Sequence, residues 1–165
     1  MLRDVGVQAY NYDRYVRNHF ASGFSKSDED RYDFVTAFEI FEHFTKPKSD
    51  VEVIFSLQPS VLLISTGIYE GQGPDWPYLG PAKSAHVFFY SEEALRWIGR
   101  IFDYKVARLP RSMALFTRTP VAKARLVLIQ TLLSRPRLAE ILFVAKRKYS
   151  LSIEDNQKIR QRLSL

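Results

Sequence analysis

Apolar residues gather along this chain in short unbroken runs and in helical stripes, and their spacing predicts alternating strands and helices. Phe34, Val35, Ala37 and Phe38 form an almost wholly apolar run of the kind a parallel sheet buries on both faces. Glu39 and Glu42 follow at once and load the opening of a helix with the negative charge its dipole favours. That helix is expected over about 40 to 57, breaking or restarting at Pro47. Val61 to Thr66, bounded by Pro59 and Gly67, is the clearest strand. Upstream, Gly6 to Asp13 alternates apolar with polar residues and reads as a strand ending on an acid; a short helix closed by Gly23 and a polar connection over 25–31 follow it. Downstream, a loop over 67–85 holds Gly67, Gly71 and Gly73 with prolines at 74, 77 and 81, a length that is usually functional or disordered. Ser91 caps a helix whose apolar face is Leu95, Ile98 and Phe102, and strands at 103–109 and 113–118 are joined by Pro110-Arg111-Ser112. Beyond Pro120 the pattern is helical, over 121–134, 137–149 and 152–164. Leu126, Val127, Ile129, Leu132 and Leu133 are too apolar to face water and are expected to pack on the body, on another chain or on a membrane surface. The plan is α/β with a terminal antiparallel hairpin.

Composition narrows the classes. At 165 residues and 46% hydrophobic the chain is one domain's worth, yet short for a complete doubly wound enzyme. Without cysteine it has no disulfide framework, thiolate nucleophile or sulfur-ligated zinc. The opening residues lack the apolar core of a signal peptide and no run is long enough to span a membrane, so a cytoplasmic location is expected. Residues 103–165 carry 14 Lys or Arg against 4 Asp or Glu, whereas residues 1–102 carry 10 against 14. A basic tail of this kind can meet nucleic acid, anionic lipid or an acidic partner; the solvated faces of amphipathic helices are the plainer account.

Candidate chemistry is sparse. His86 precedes the aromatic run Val87 to Tyr90 and could serve as a general base, while His43 beside Glu42 reads as a structural histidine. No two of the three histidines have the helical or short-loop spacing that makes a metal site credible, so no metal is expected, and no Gly-x-Ser-x-Gly elbow supports serine hydrolase chemistry. Tyr10, Tyr12 and Tyr15 could line a pocket, although aromatic alternation in a strand is more often core.

Taken in order, Tyr10-Asn11-Tyr12-Asp13, Asp33 to His43, Leu62 to Thr66 and His86 to Ser91 resemble class I S-adenosylmethionine-dependent methyltransferases over about residues 1–118. The resemblance implies an incomplete Rossmann-like methyltransferase sheet over 1–119 with a C-terminal antiparallel strand, followed by a basic helical extension over 120–165. It implies that Asp13 accepts hydrogen bonds from the ribose hydroxyls of S-adenosylmethionine, that Phe38 and Glu39 open toward its methionine end, and that His86 faces the acceptor. The family's first strand and glycine-rich turn would precede Met1, and Gly71-Gln72-Gly73 is no substitute because it runs into Pro74. Weak or absent cofactor binding is therefore expected, with methyl transfer to a small-molecule or saccharide acceptor impaired. Without that first strand, the strand at 7–13 is expected to close on the one at 32–38, or the chain to self-associate through the exposed edge. The Trp76-Pro77-Tyr78 loop is similar to a subgroup acting on polysaccharides or small molecules, with Ser84-Ala85 in place of its usual Gly-Gln. An alternative of a different class is a non-catalytic module whose basic C-terminal helices self-associate or bind an anionic surface, with membrane-surface contact through 120–148; nucleic acid is not the expected partner.

Overall fold

A computed structural model describes residues 2–13, 23–26, 31–79, 86–145 and 149–163. They fall into two compact units, residues 31–135 and residues 1–30 with 136–165. The first holds a four-stranded sheet in the order β1-β2-β4-β3, built from β1 (Phe34–Phe38), β2 (Val61–Ser65), β3 (Lys105–Leu109) and β4 (Met113–Thr117). β1 and β2 are parallel, with Phe34 opposite Val61 and Phe38 opposite Ser65, and β4 runs antiparallel to both β2 and β3. The sheet is therefore mixed and the architecture α/β. The β3–β4 hairpin turns where expected: Arg111 and Ser112 both take left-handed conformations, at φ 60° and 54°.

Register puts Ala37, Leu62, Ile64, Ala114 and Phe116 on one face. On these residues pack Val51 and Phe55 of α1 (Pro47–Ser56) and Leu95 and Ile98 of α2 (Glu92–Ile101). Phe55 stacks on Phe102 at 4.3 Å and meets Phe116 edge-on at 5.6 Å. α1 opens with Pro47 in its first turn, where the missing N–H costs nothing. α2 opens on Ser91, whose hydroxyl accepts from the Ala94 amide at 3.1 Å. An open groove of about 580 Å³, lined by Arg96, Arg100 and Lys105 among others, lies where α2 meets β3. Lys105 stands in register, through Thr117, with Val61, so this groove is at the starting end of the parallel strands.

Several expectations change. β1 is not buried on both faces: Phe34 and Phe38 are 55% and 47% exposed, because β1 lies at the sheet edge and only Val35 and Ala37 face the helices. No helix begins directly after β1; Glu39 turns left-handed (φ 50°), a single 3-10 turn covers Phe41–His43, and the α-helix waits for Pro47. Residues 7–13 form no strand. Their one bridge joins Asn11 to Ser25, so alternation without a continuous partner does not make a ladder, and β1 pairs with β2 alone among the described residues. The helix expected at 14–24 lies largely outside the described residues.

α3 (Lys123–Ser134) buries no residue and leaves Val127 and Leu128 60% and 53% exposed, so of the coverings expected for it the body of this chain is not the one used. α4 (Pro136–Ala145) and α5 (Ser152–Leu163) belong to the other unit. There Arg3 forms a two-pronged ion pair with Asp155, Nε to Oδ2 and Nη2 to Oδ1 both at 2.6 Å, and donates to the Ala9 carbonyl at 3.1 Å. Its guanidinium lies 3.8 Å from the Phe24 ring centre, and the Leu151 amide donates to the Arg3 carbonyl at 3.0 Å. Among the described residues no helix is long and apolar enough to cross a membrane.

Candidate active site

The carboxyl ends of β1 and β2 converge on polar side chains, at the place where open α/β sheets bind ligands. The Glu39 amide donates to both the Ser65 carbonyl (3.0 Å) and its hydroxyl (3.2 Å), which holds Glu39 in its left-handed conformation just past β1. Ser65 Oγ in turn donates to Glu39 Oε1 at 2.8 Å. One residue on, Thr66 is fully buried, and Gly67 lies so close under the Tyr78 ring that a Cβ there would come within 2.4 Å of it. A side chain at 67 would therefore displace Tyr78.

Tyr78 links the two carboxylates. Its hydroxyl lies 2.5 Å from Glu42 Oε1, 3.2 Å from Glu39 Oε2 and 3.5 Å from Thr66 Oγ1. Burial first, and then the hydrogen bond to Glu42, push the phenol pKa well above its ordinary value, so Tyr78 remains a donor. Burial raises Glu39, but hydrogen bonding with Ser65, Glu42 and Tyr78, with His86 nearby, outweighs it and holds Glu39 below the usual carboxylate range. Glu42 is fully buried, and its Oε2 has no hydrogen-bond partner.

The chain segment after residue 85 is pinned to this cluster by its backbone. The Val87 and Phe88 amides both donate to the Glu42 carbonyl, at 2.8 and 3.1 Å, and the Tyr69 amide donates to Tyr90 at 2.9 Å. His86 is thereby carried to Glu42, with its Nε2 4.0 Å from Glu42 Oε1 and its Nδ1 2.9 Å from the Tyr78 carbonyl oxygen. A carbonyl only accepts, so Nδ1 bears the proton in the neutral ring and Nε2 keeps its lone pair. His43 lies against His86, ring centres 5.0 Å apart. Beside this cluster Trp76 packs 5.1 Å from Tyr78, 5.6 Å from Phe89 and 6.0 Å from Tyr69. Below the ring of carboxylates, the buried Tyr90 hydroxyl is unpartnered, and its pKa is pushed up to about 12, by burial foremost and then by Asp50 and Glu42.

Of the residues singled out in the sequence, Phe38, Glu39 and His86 thus belong to one region at the ends of the parallel strands, while Asp13 is exposed in the other unit. The profile of a family described as a methyltransferase domain matches residues 1–109. The chain belongs to that family. No curated protein matches it. Methyltransferase domains generally use S-adenosylmethionine as donor, and the match takes in all the strand-end residues described above.

Sequence reasoning missed Glu42 and Tyr78 as members of the site. Their signal was present but indirect: a Glu two residues past the expected helix start, and an aromatic in the glycine-rich loop directly after a buried strand.

Proposed function

We propose that this chain supports methyl transfer from S-adenosylmethionine to a hydroxyl of a small molecule or saccharide, with the chemistry at the ends of β1 and β2. The observation that carries this reading is the His86 ring, fixed through Nδ1 by the Tyr78 carbonyl at 2.9 Å with Nε2 beside the buried Glu42. Transfer of a methyl group to oxygen requires in-line approach of the acceptor and removal of its proton. The Nε2 lone pair takes that proton, and the imidazolium so formed faces the Glu42 carboxylate. Phe38 and Glu39 contact the methionine end of the donor, where the ionised Glu39 suits a sulfonium cation. The exposed face of Tyr69 beside Trp76 gives an acceptor ring a stacking surface. Asp13 is assigned to the donor ribose by resemblance alone.

The contacts assigned here to the donor are few: Asp13, Phe38 and Glu39. Charge-assisted hydrogen bonds to one carboxylate supply about 1.5–3 kcal/mol, against the roughly 8 kcal/mol of a micromolar complex. Millimolar binding is expected. Titration of the labelled chain with S-adenosylmethionine, followed by amide chemical shifts, should move Phe38, Glu39, Thr66 and Val87 together with one shared dissociation constant. Shifts scattered over the sheet's other end, or none up to several millimolar, would overturn the assignment.

A further inference from the structure

We propose that Glu42, His43 and His86 form a binding site for a first-row divalent cation such as Zn²⁺ or Mn²⁺. One ligand atom from each of the three lies within 4.8 Å of the others. Two features of the cluster point to a cation site rather than to a chance meeting of side chains. Glu42 is fully buried with Oε2 unpartnered, a state a carboxylate adopts only at a cost unless something positive faces it. His86 presents to that carboxylate a nitrogen lone pair, because its other nitrogen is committed as a donor to the Tyr78 carbonyl. A metal-binding histidine is typically oriented in this way, its far N–H given to a backbone carbonyl. The third residue, His43, is exposed.

Distances fit after a small closure. Ligands about 2.1 Å from a tetrahedral ion stand about 3.4 Å apart, whereas Nε2 of His86 and Oε1 of Glu42 are 4.0 Å apart. Two imidazoles and one carboxylate select zinc, manganese, iron or cobalt over calcium and magnesium, which prefer all-oxygen shells. Three protein ligands leave at least one position for water or for an acceptor oxygen. Glu39, tied to Ser65 and Tyr78, stays outside the three and adds negative charge beside them. A bound cation takes the Nε2 lone pair of His86, so the ion-bound and proton-accepting forms of this ring exclude one another. The inference goes beyond methyl transfer and is tested without donor or acceptor, so either can fail alone.

The experiment is titration of the chelator-treated full chain with Co²⁺, followed by its visible d–d absorption, and with Zn²⁺ by calorimetry. One ion per chain with micromolar or tighter affinity is expected, and Zn²⁺ should raise the midpoint of thermal unfolding. Glu42→Gln and His43→Ala should each weaken binding at least about tenfold, the loss typical even for residues that only support a metal ligand. His43 is on the surface, so its variant keeps the fold, which circular dichroism verifies; His19→Ala should bind as the parent does. Absence of binding at stoichiometric protein, or binding that survives both His43→Ala and His86→Asn, would overturn the proposal.

Discussion

Tyr78→Phe deletes one oxygen and leaves the ring where it lies against Gly67, so its effect isolates the hydroxyl that joins the two carboxylates. That hydroxyl has three acceptors within 3.5 Å but one proton, and the 2.5 Å approach marks Glu42 as the acceptor it serves. A hydrogen bond to a charged group contributes about 1.5–3 kcal/mol. Full burial of Glu42 argues for the upper end, while the partial exposure of Tyr78 lets water replace some of the loss. The expected destabilisation is about 2 kcal/mol. Urea unfolding followed by tryptophan fluorescence reads it, because Trp76 packs 5.1 Å from Tyr78. The midpoint should fall with an unchanged slope. In a Glu42→Gln background the same substitution should cost at least about 1 kcal/mol less, a coupling expected of groups in direct contact. A loss below about 0.5 kcal/mol, or equal losses in both backgrounds, would show that the Tyr78–Glu42 bond does not hold the site together.

Two further outcomes follow from other contacts. Gly67→Ala places a Cβ within 2.4 Å of the Tyr78 ring and should destabilise by about 1–3 kcal/mol while altering the near-ultraviolet dichroism of Trp76 and Tyr78; an unchanged spectrum would mean that the ring moves aside freely. Asp155 has its pKa lowered by the hydrogen bonds from Arg3, so its contribution is present above the unfolded-state value and is lost as pH falls below about 4. Protection of the α5 amides, taken relative to their intrinsic exchange at each pH, should fall over that window in the parent and stay flat in Asp155→Asn, and parallel profiles would refute the assignment.

Elements with local signals were legible in the sequence. Ser91 announces α2 through its own hydroxyl, Pro110-Arg111-Ser112 announces the hairpin, and Pro59 and Gly67 bracket β2, so each is fixed by residues within a turn of itself. The left-handed Glu39 was not legible, because it is not a glycine and is held by Ser65 from another strand. The strand expected at 7–13 failed for the complementary reason: alternation specifies a face, but pairing depends on a neighbour, and only Asn11 finds one. Phe38, Glu39 and His86 were singled out through the family resemblance, and all three lie toward the carboxyl ends of the parallel strands. The meeting of His43, Glu42 and His86 depends on the Val87 and Phe88 amides reaching the Glu42 carbonyl, a long-range contact that linear spacing cannot express.

The ion pair between Arg3 and Asp155 joins residues 152 positions apart and so cannot form until Asp155 has been made. On a ribosome, residues 31–135 emerge with their whole sheet and can fold while synthesis continues. Residues 1–30 come out before residues 31–135 yet wait longer, since their partner helix is translated after both. Throughout that interval Arg3, Phe24 and Tyr10 are presented to chaperones and proteases, and a stop codon shortly before Asp155 would leave the early segment permanently in that state.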